Sequence, residues 1–184
     1  MNQRSRSIVV VSGAIAFLVV GVVAIRAVAE LTSEDPIERD FTVVRDESVG
    51  GFPRNGTIGA AVEALGLPTA RIPGGTNQCT LTWPSRGITM ETFFGNVGNP
   101  CGVKGNHVST TVTDKRWETD KGLRVGDPAA RIQELYPDAG SASSDGIVEI
   151  FTRDFSGLPL PSLTATVAKG RVTALTLYGP RRGF

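Results

Sequence analysis

Histidine and cysteine are scarce in this chain: one imidazole, His107, and two thiols, Cys79 and Cys101, among 184 residues. That shortage excludes the zinc arrangements that need four nitrogen or sulfur ligands, and a His-Glu-x-x-His helix is absent. There is no Gly-x-Ser-x-Gly elbow, no phosphate loop and no Gly-x-Gly-x-x-Gly turn. Lysines and arginines form no stripe that would track a nucleic-acid backbone, and the Arg181-Arg182 pair reads as a solvated tail. Aromatic residues are few and glycines many, which suits a turn-rich mixed fold better than a helical bundle.

Acidic residues are missing from the first 29 positions, and the 18 that exist all follow. Only Arg4, Arg6 and Arg26 of the 19 basic residues lie in that segment, so the remainder carries 16 basic against 18 acidic groups, a formal −2. Between the arginines, Ile8 to Ile25 is uncharged and apolar on every side. As a helix it would rise about 27 Å, enough for a hydrocarbon core. Arg4 and Arg6 favour a cytoplasmic N-terminus and an extracytoplasmic remainder. Ala27-Val28-Ala29 matches a small-x-small cleavage pattern, so residues 1–29 read as a cytoplasmic stub with a single-pass anchor, or as a signal peptide cut after Ala29. The partners expected on this basis are membrane lipid along residues 8–25 and another envelope protein, with no nucleic acid.

Residues 30–55 read as an acidic flexible spacer, with one short strand at Phe41–Val44. Asn55-Gly56-Thr57 matches a glycosylation sequon, but it is equally a turn followed by a helix start. The extracytoplasmic domain is expected over 56–184. It carries a weak internal repeat with an offset of 70 residues: Gly56-Thr57-Ile58 to Leu65 against Gly126-Asp127-Pro128 to Leu135. Thr57 and Asp127 are the expected N-caps, Pro128 suits the first helical position, and Gly66 and Pro137 are the stops. Ile58, Ala61, Val62 and Leu65 form one apolar stripe, and Pro128, Ile132, Leu135 and Tyr136 its counterpart. Alternating segments predict strands over Cys79–Trp83, Ile88–Phe94 and His107–Thr113, then Ile147–Thr152, Ser162–Val167 and Arg171–Tyr178, the last two joined at Lys169-Gly170. The expected fold class is therefore α+β: an N-terminal transmembrane helix followed by two short helix-plus-antiparallel-strand repeats, 56–113 and 117–179, sharing one core.

The string from Trp117-Glu118-Thr119-Asp120 to Gly126-Asp127, with Leu135-Tyr136-Pro137 and Gly170-Arg171-Val172 after it, resembles a group of exported, mostly actinobacterial proteins of uncharacterised function. Cys79-Thr80-Leu81-Thr82-Trp83-Pro84, with Cys101 downstream, adds to it. The halves of those proteins look like the beta-lactamase-inhibitor-protein fold and the small outer-membrane assembly lipoproteins. The resemblance spans about Thr57 to Tyr178 and implies architecture alone.

Four groupings have the right residue types for chemistry. Cys79 and Cys101 suit one disulfide in an exported domain, with a metal or redox pair as the rival. His107 is the one imidazole a base or nucleophile relay can use. Glu118 with Asp120, or Asp114 with Glu118, offers paired carboxylates. Trp83 and Trp117 offer either a stacking platform or core edges. The reading is a non-enzymatic interaction module of the envelope, with an inhibitor-like or hydrolase domain as the alternative. No residue is assigned a catalytic, cofactor or metal role, and no cofactor is expected. Asp154 to Pro161, rich in Gly and Pro, is the loop through which an inhibitor would protrude.

Overall fold

A computed structural model of the chain describes residues 41–180, apart from Asp46, Thr76, 96–98, 142, 143 and the side chain of Phe155. These belong to the compact unit Asp40–Phe184; the other unit, Met1–Arg39, lies outside the described residues. So does the Ile8–Ile25 run. Among the described residues no helix is long and apolar enough to cross a membrane.

The fold is predominantly β, which corrects the α+β expectation. Eleven strands form two sheets, accompanied among the described residues by two short α-helices and one 3-10 turn at Pro84–Arg86. β1 (Thr42–Val44), β2 (Ser48–Val49), β3 (Phe52–Pro53) and β8 (Glu118–Thr119) make a small sheet in the order β3-β2-β1-β8, with β1 and β8 parallel. The large sheet is antiparallel throughout, in the order β4-β5-β6-β7-β11-β10-β9. Its strands are β4 (Ala70–Gly74), β5 (Gln78–Trp83), β6 (Ile88–Phe93), β7 (Asn106–Val112), β9 (Gly146–Phe155), β10 (Leu158–Ala168) and β11 (Arg171–Tyr178). Two meanders thus meet at β7 and β11, where Val112 opposes Leu175 and Thr110 opposes Leu177.

The helices are α1 (Ile58–Leu65) and α2 (Ala130–Leu135). α1 forms as its sequence predicts. The Thr57 hydroxyl accepts from Ala60 N, and Gly66 ends the helix at φ 83°. Its next free N–H groups, on Ile58 and Gly59, donate to the carbonyls of Gly105 and Val103 at 2.9 Å. α2 starts two residues later than its repeat partner would. Asp127 does not cap it: the carboxylate turns back to accept from Arg124 N at 2.9 Å. Pro128 bridges to Arg171 and is exposed, while Ala129 N donates to Gly170 O. The backbone that would have made the first turn is already bonded to the β10–β11 turn.

Register fixes what each face of the large sheet presents. Trp83, Ile88, Val112, Leu175, Ala165 and Val148 lie opposite one another across six strands and are all buried. One residue over, the other face carries Thr82, Thr89, Thr111, Thr176 and Thr164 in a single cross-strand row. The Thr111 and Thr176 hydroxyls lie 3.0 Å apart. β-Branched threonine fits a pleated surface and pairs well across strands, so the row stabilises the sheet while keeping this face polar.

The expected spacer is ordered from residue 41 onward, a second correction. Val43, Val49 and Phe52 are buried in the same core as the helices and the large sheet. Gly56 follows because a Cβ there would overlap the Phe52 ring.

At the far end, β9 and β10 outrun the sheet. β11 pairs with β10 only from Leu163 onward, so residues 152–161 continue as a two-stranded ribbon. The Asp154–Pro161 stretch is therefore a hairpin and not a loop. Its two-residue turn has Ser156 at φ 53° and Gly157 at φ 82°, the twist that suits flanking strands, and Asp154 accepts from Gly157 N at 2.8 Å. Lys169-Gly170 makes the second such turn, as its sequence predicts.

Candidate functional site

His107 sits at the start of β7, 5% exposed, with the edge of its ring against Phe52 at 5.1 Å. Nδ1 lies 2.7 Å from the Arg54 carbonyl, and Nε2 lies 2.8 Å from the Thr110 hydroxyl. A carbonyl only accepts, so Nδ1 carries the proton and Nε2 accepts from Thr110. Both nitrogens are engaged in holding the β3–α1 connection onto β7, which leaves neither for a substrate. Burial pushes the imidazole pKa down to about 4, against the weaker raising effect of its backbone hydrogen bond.

The depressed pKa has a stability consequence. Between the ordinary value of about 6.5 and the folded value, the unfolded chain binds the proton that the folded one refuses. The stabilisation is complete above pH 6.5 and is lost as pH falls toward 4. We expect roughly 2 kcal/mol to vanish between pH 7 and pH 4.5. In urea titrations across that range, His107→Gln, which can donate to Arg54 and accept from Thr110, should have a flatter profile. An unchanged slope in that variant would remove His107 as the cause.

The remaining sequence candidates are separated by the fold. Cys79 and Cys101 form a disulfide, with sulfurs 2.00 Å apart and Cα atoms 5.2 Å apart. It joins β5 to the loop between β6 and β7. Among the described residues no group of three or more His, Cys, Asp or Glu side chains is placed to hold a metal ion. Glu118 accepts from Arg124 Nε at 2.6 Å, and Asp120 receives the Tyr136 hydroxyl at 3.3 Å. Asp114 pairs with Arg116, whose hydrogen bonds lower its pKa to about 2. A general acid needs a raised pKa, and Asp114 is held ionised instead. Trp83 and Trp117 are buried, their Nε1 atoms donating to Gly66 O at 2.9 Å and Arg86 O at 2.7 Å, so neither offers a stacking face to a ligand. At Asn55-Gly56-Thr57 the chain turns and caps α1. Arg181-Arg182 lies outside the described residues.

What the fold does assemble is a cleft of about 220 Å3 beside the edge strand β9. Arg45 and Lys121 contribute cations, Tyr136, Ile150 and Phe151 apolar surface, and Pro137, Asp138 and Thr152 the rest of the lining. Arg45 arrives on the turn after β1, Lys121 on the turn after β8, Tyr136 at the end of α2. The Arg45 guanidinium lies 4.4 Å from the Phe151 ring centroid, and the Lys121 ammonium 4.8 Å from that of Tyr136. Lys121 also donates to Leu135 O at 3.3 Å. The Tyr136 hydroxyl donates to Thr119 at 2.7 Å; burial, chiefly, raises its pKa to about 12, so the phenol stays neutral. Two cations converge on a partly apolar recess from four stretches distant in sequence. None of Arg45, Lys121, Tyr136 and Phe151 stood out as a site residue in the sequence, because nothing in their spacing links them.

No family model matches the chain, and no curated protein does. Among solved structures, an extracellular protein containing a SCP domain from Bacillus anthracis str. Ames superposes with a TM-score of 0.43 at 7% identity. The match covers 80% of this chain and 49% of the other, so the chain spans about half that protein's length. A superposition that loose carries neither fold nor function across.

Proposed function

We propose that this chain is a non-enzymatic interaction module on the extracytoplasmic side of a membrane, docking another envelope protein through the β9–β10 ribbon. The ribbon is the observation that carries the reading. Its described side chains from Thr152 to Pro159 are exposed, and Leu158, 64% exposed, stands near its tip. Leu158 is the one large apolar side chain that the described part of the ribbon exposes, on an element that projects beyond the sheet. The disulfide supports an oxidising compartment. The basic-then-apolar order of residues 4–25 supports export, with that segment engaging membrane lipid. His107, committed to two structural hydrogen bonds, weighs against the hydrolase alternative. An inhibitor-like role uses the same ribbon and differs in what it enters.

The test places a photoreactive phenylalanine analogue at position 158, and separately at exposed Thr173 on β11, in the full chain in intact cells. Position 158 should yield one discrete protein adduct and position 173 none, with thermal midpoints within about 2 °C of the parent. An adduct with an enzyme's substrate cleft would select the inhibitor role. Equal, diffuse labelling from both positions would sink the docking assignment.

A further inference from the structure

The ribbon has two edges, and hairpin geometry makes them unequal. In a two-residue hairpin the residues flanking the turn, here Phe155 and Leu158, exchange hydrogen bonds with each other. The next pair, Asp154 and Pro159, points its backbone groups outward, and so does the pair Thr152 and Pro161 two residues on. On the β10 side both outward positions are prolines. They have no N–H to offer, so that edge is closed to a further strand. On the β9 side the outward groups of Thr152 and Asp154 are complete, with donor and acceptor both present. Nearer the domain body this edge is already used: Gly140 N donates to Glu149 O at 2.9 Å. Among the described residues, the open stretch of β9 runs from the ribbon down to Thr152.

Thr152 is also where the cleft begins. An extended segment lying on β9 and running antiparallel to it would leave Asp154, pass Thr152 after about 7 Å, and end in the cleft. There Arg45 and Lys121 outnumber Asp138, the one carboxylate in the lining. Exposed Pro137 and half-buried Phe151 offer apolar surface for one side chain, above the buried Ile150 and Tyr136.

We infer that the open edge of β9 and the Arg45–Lys121 cleft together form a binding site for an extended peptide with a free C-terminal carboxylate. Strand addition supplies backbone hydrogen bonds, the two cations read the terminal charge, and the recess selects an apolar last side chain. This names the partner chemistry for the docking module and rests on that reading. The closed proline edge gives the ribbon a single polarity, so an incoming strand is offered one side only.

The experiment uses the full chain and two pools of random heptapeptides, one with free C-termini and one amidated. Enrichment should come from the free-carboxylate pool and favour an apolar last residue. For a selected peptide, amidation should weaken binding at least tenfold by fluorescence polarisation. Arg45→Gln combined with Lys121→Gln should do the same, with an unchanged circular dichroism spectrum. Hydrogen exchange at Thr152 and Asp154 should slow on binding. Equal enrichment of the amidated pool, or indifference to the two glutamines, overturns the carboxylate site while the ribbon's docking role stands. Enrichment from neither pool also overturns it, and the photocrosslink from position 158 then decides the docking role by itself.

Discussion

Trp117→Ala should destabilise the domain by about 4 kcal/mol, the cost of an indole-sized cavity in a packed core. Trp117 is 0% exposed and sits where the small sheet meets the large one. Its ring meets Phe41 edge-on at 5.0 Å, and the Arg86 guanidinium lies 5.4 Å from its centroid. Arg86 is itself only 3% exposed and also faces the Phe41 ring at 5.2 Å. A buried cation depends on such faces because water cannot reach it. Removing the indole therefore opens a void, leaves the Arg86 carbonyl without its donor, and strips one aromatic face from a buried charge. A domain of this size has a total stability of roughly 7–20 kcal/mol, so the melting midpoint should fall by 10 °C or more. Trp117→Phe keeps most of the packing and loses the hydrogen bond, so it should cost about half as much. Urea unfolding followed by circular dichroism distinguishes these. A loss below 1 kcal/mol for the alanine variant would mean that the small sheet is not joined to the main core.

That residue also illustrates what sequence alone makes legible here. Long strands declare themselves: β5, β6, β7, β9, β10 and β11 fall where the alternation of β-branched and polar residues places them, because a half-buried strand must alternate. Of the small sheet only β1 was legible, as the short strand expected at Phe41–Val44. Its strands are three residues or shorter and are interrupted by charges, Gly50-Gly51 and Pro53, so no window contains a period. Val43, Val49 and Phe52 are buried by tertiary contact with elements that close only later in the chain. The α+β expectation failed on the same ground. The repeat of α1 in the second half is present as a sequence pattern, but Val172 N donates to the Asp127 carbonyl, which would have accepted the first helical bond, and Ala129 N donates to Gly170 O. The ribbon read as a loop because glycine and proline usually mark one; here Ser156-Gly157 makes the turn and the prolines guard an edge. The cleft is the least legible feature, because only the closed fold brings its four segments together.

Removing the disulfide should cost about 3 kcal/mol by the chain-entropy argument, and the location of the damage is as informative as its size. Cys79 and Cys101 are 22 positions apart in sequence, and both are buried. Cys101 lies in the connection between β6 and β7, the same loop whose Val103 and Gly105 carbonyls receive the first free N–H groups of α1. Arg71 on the outer strand β4 also donates to the Cys101 carbonyl, at 3.0 Å. The bridge thus anchors a loop that in turn caps a helix and ties down an edge strand. In the double variant Cys79→Ala, Cys101→Ala, hydrogen exchange should quicken first at Ile58 and Gly59, ahead of the strands at the β7–β11 junction. Uniform acceleration would mean that the bridge acts only through the unfolded chain. The parent protein isolated from cells should have an intact mass 2 Da below that of the reduced chain, as an oxidising compartment requires. The same spectrum reads whether the chain begins at Met1 or at Glu30. Full reduction in freshly isolated protein would contradict an extracytoplasmic location, because a buried bridge is shielded from thiols once it has formed.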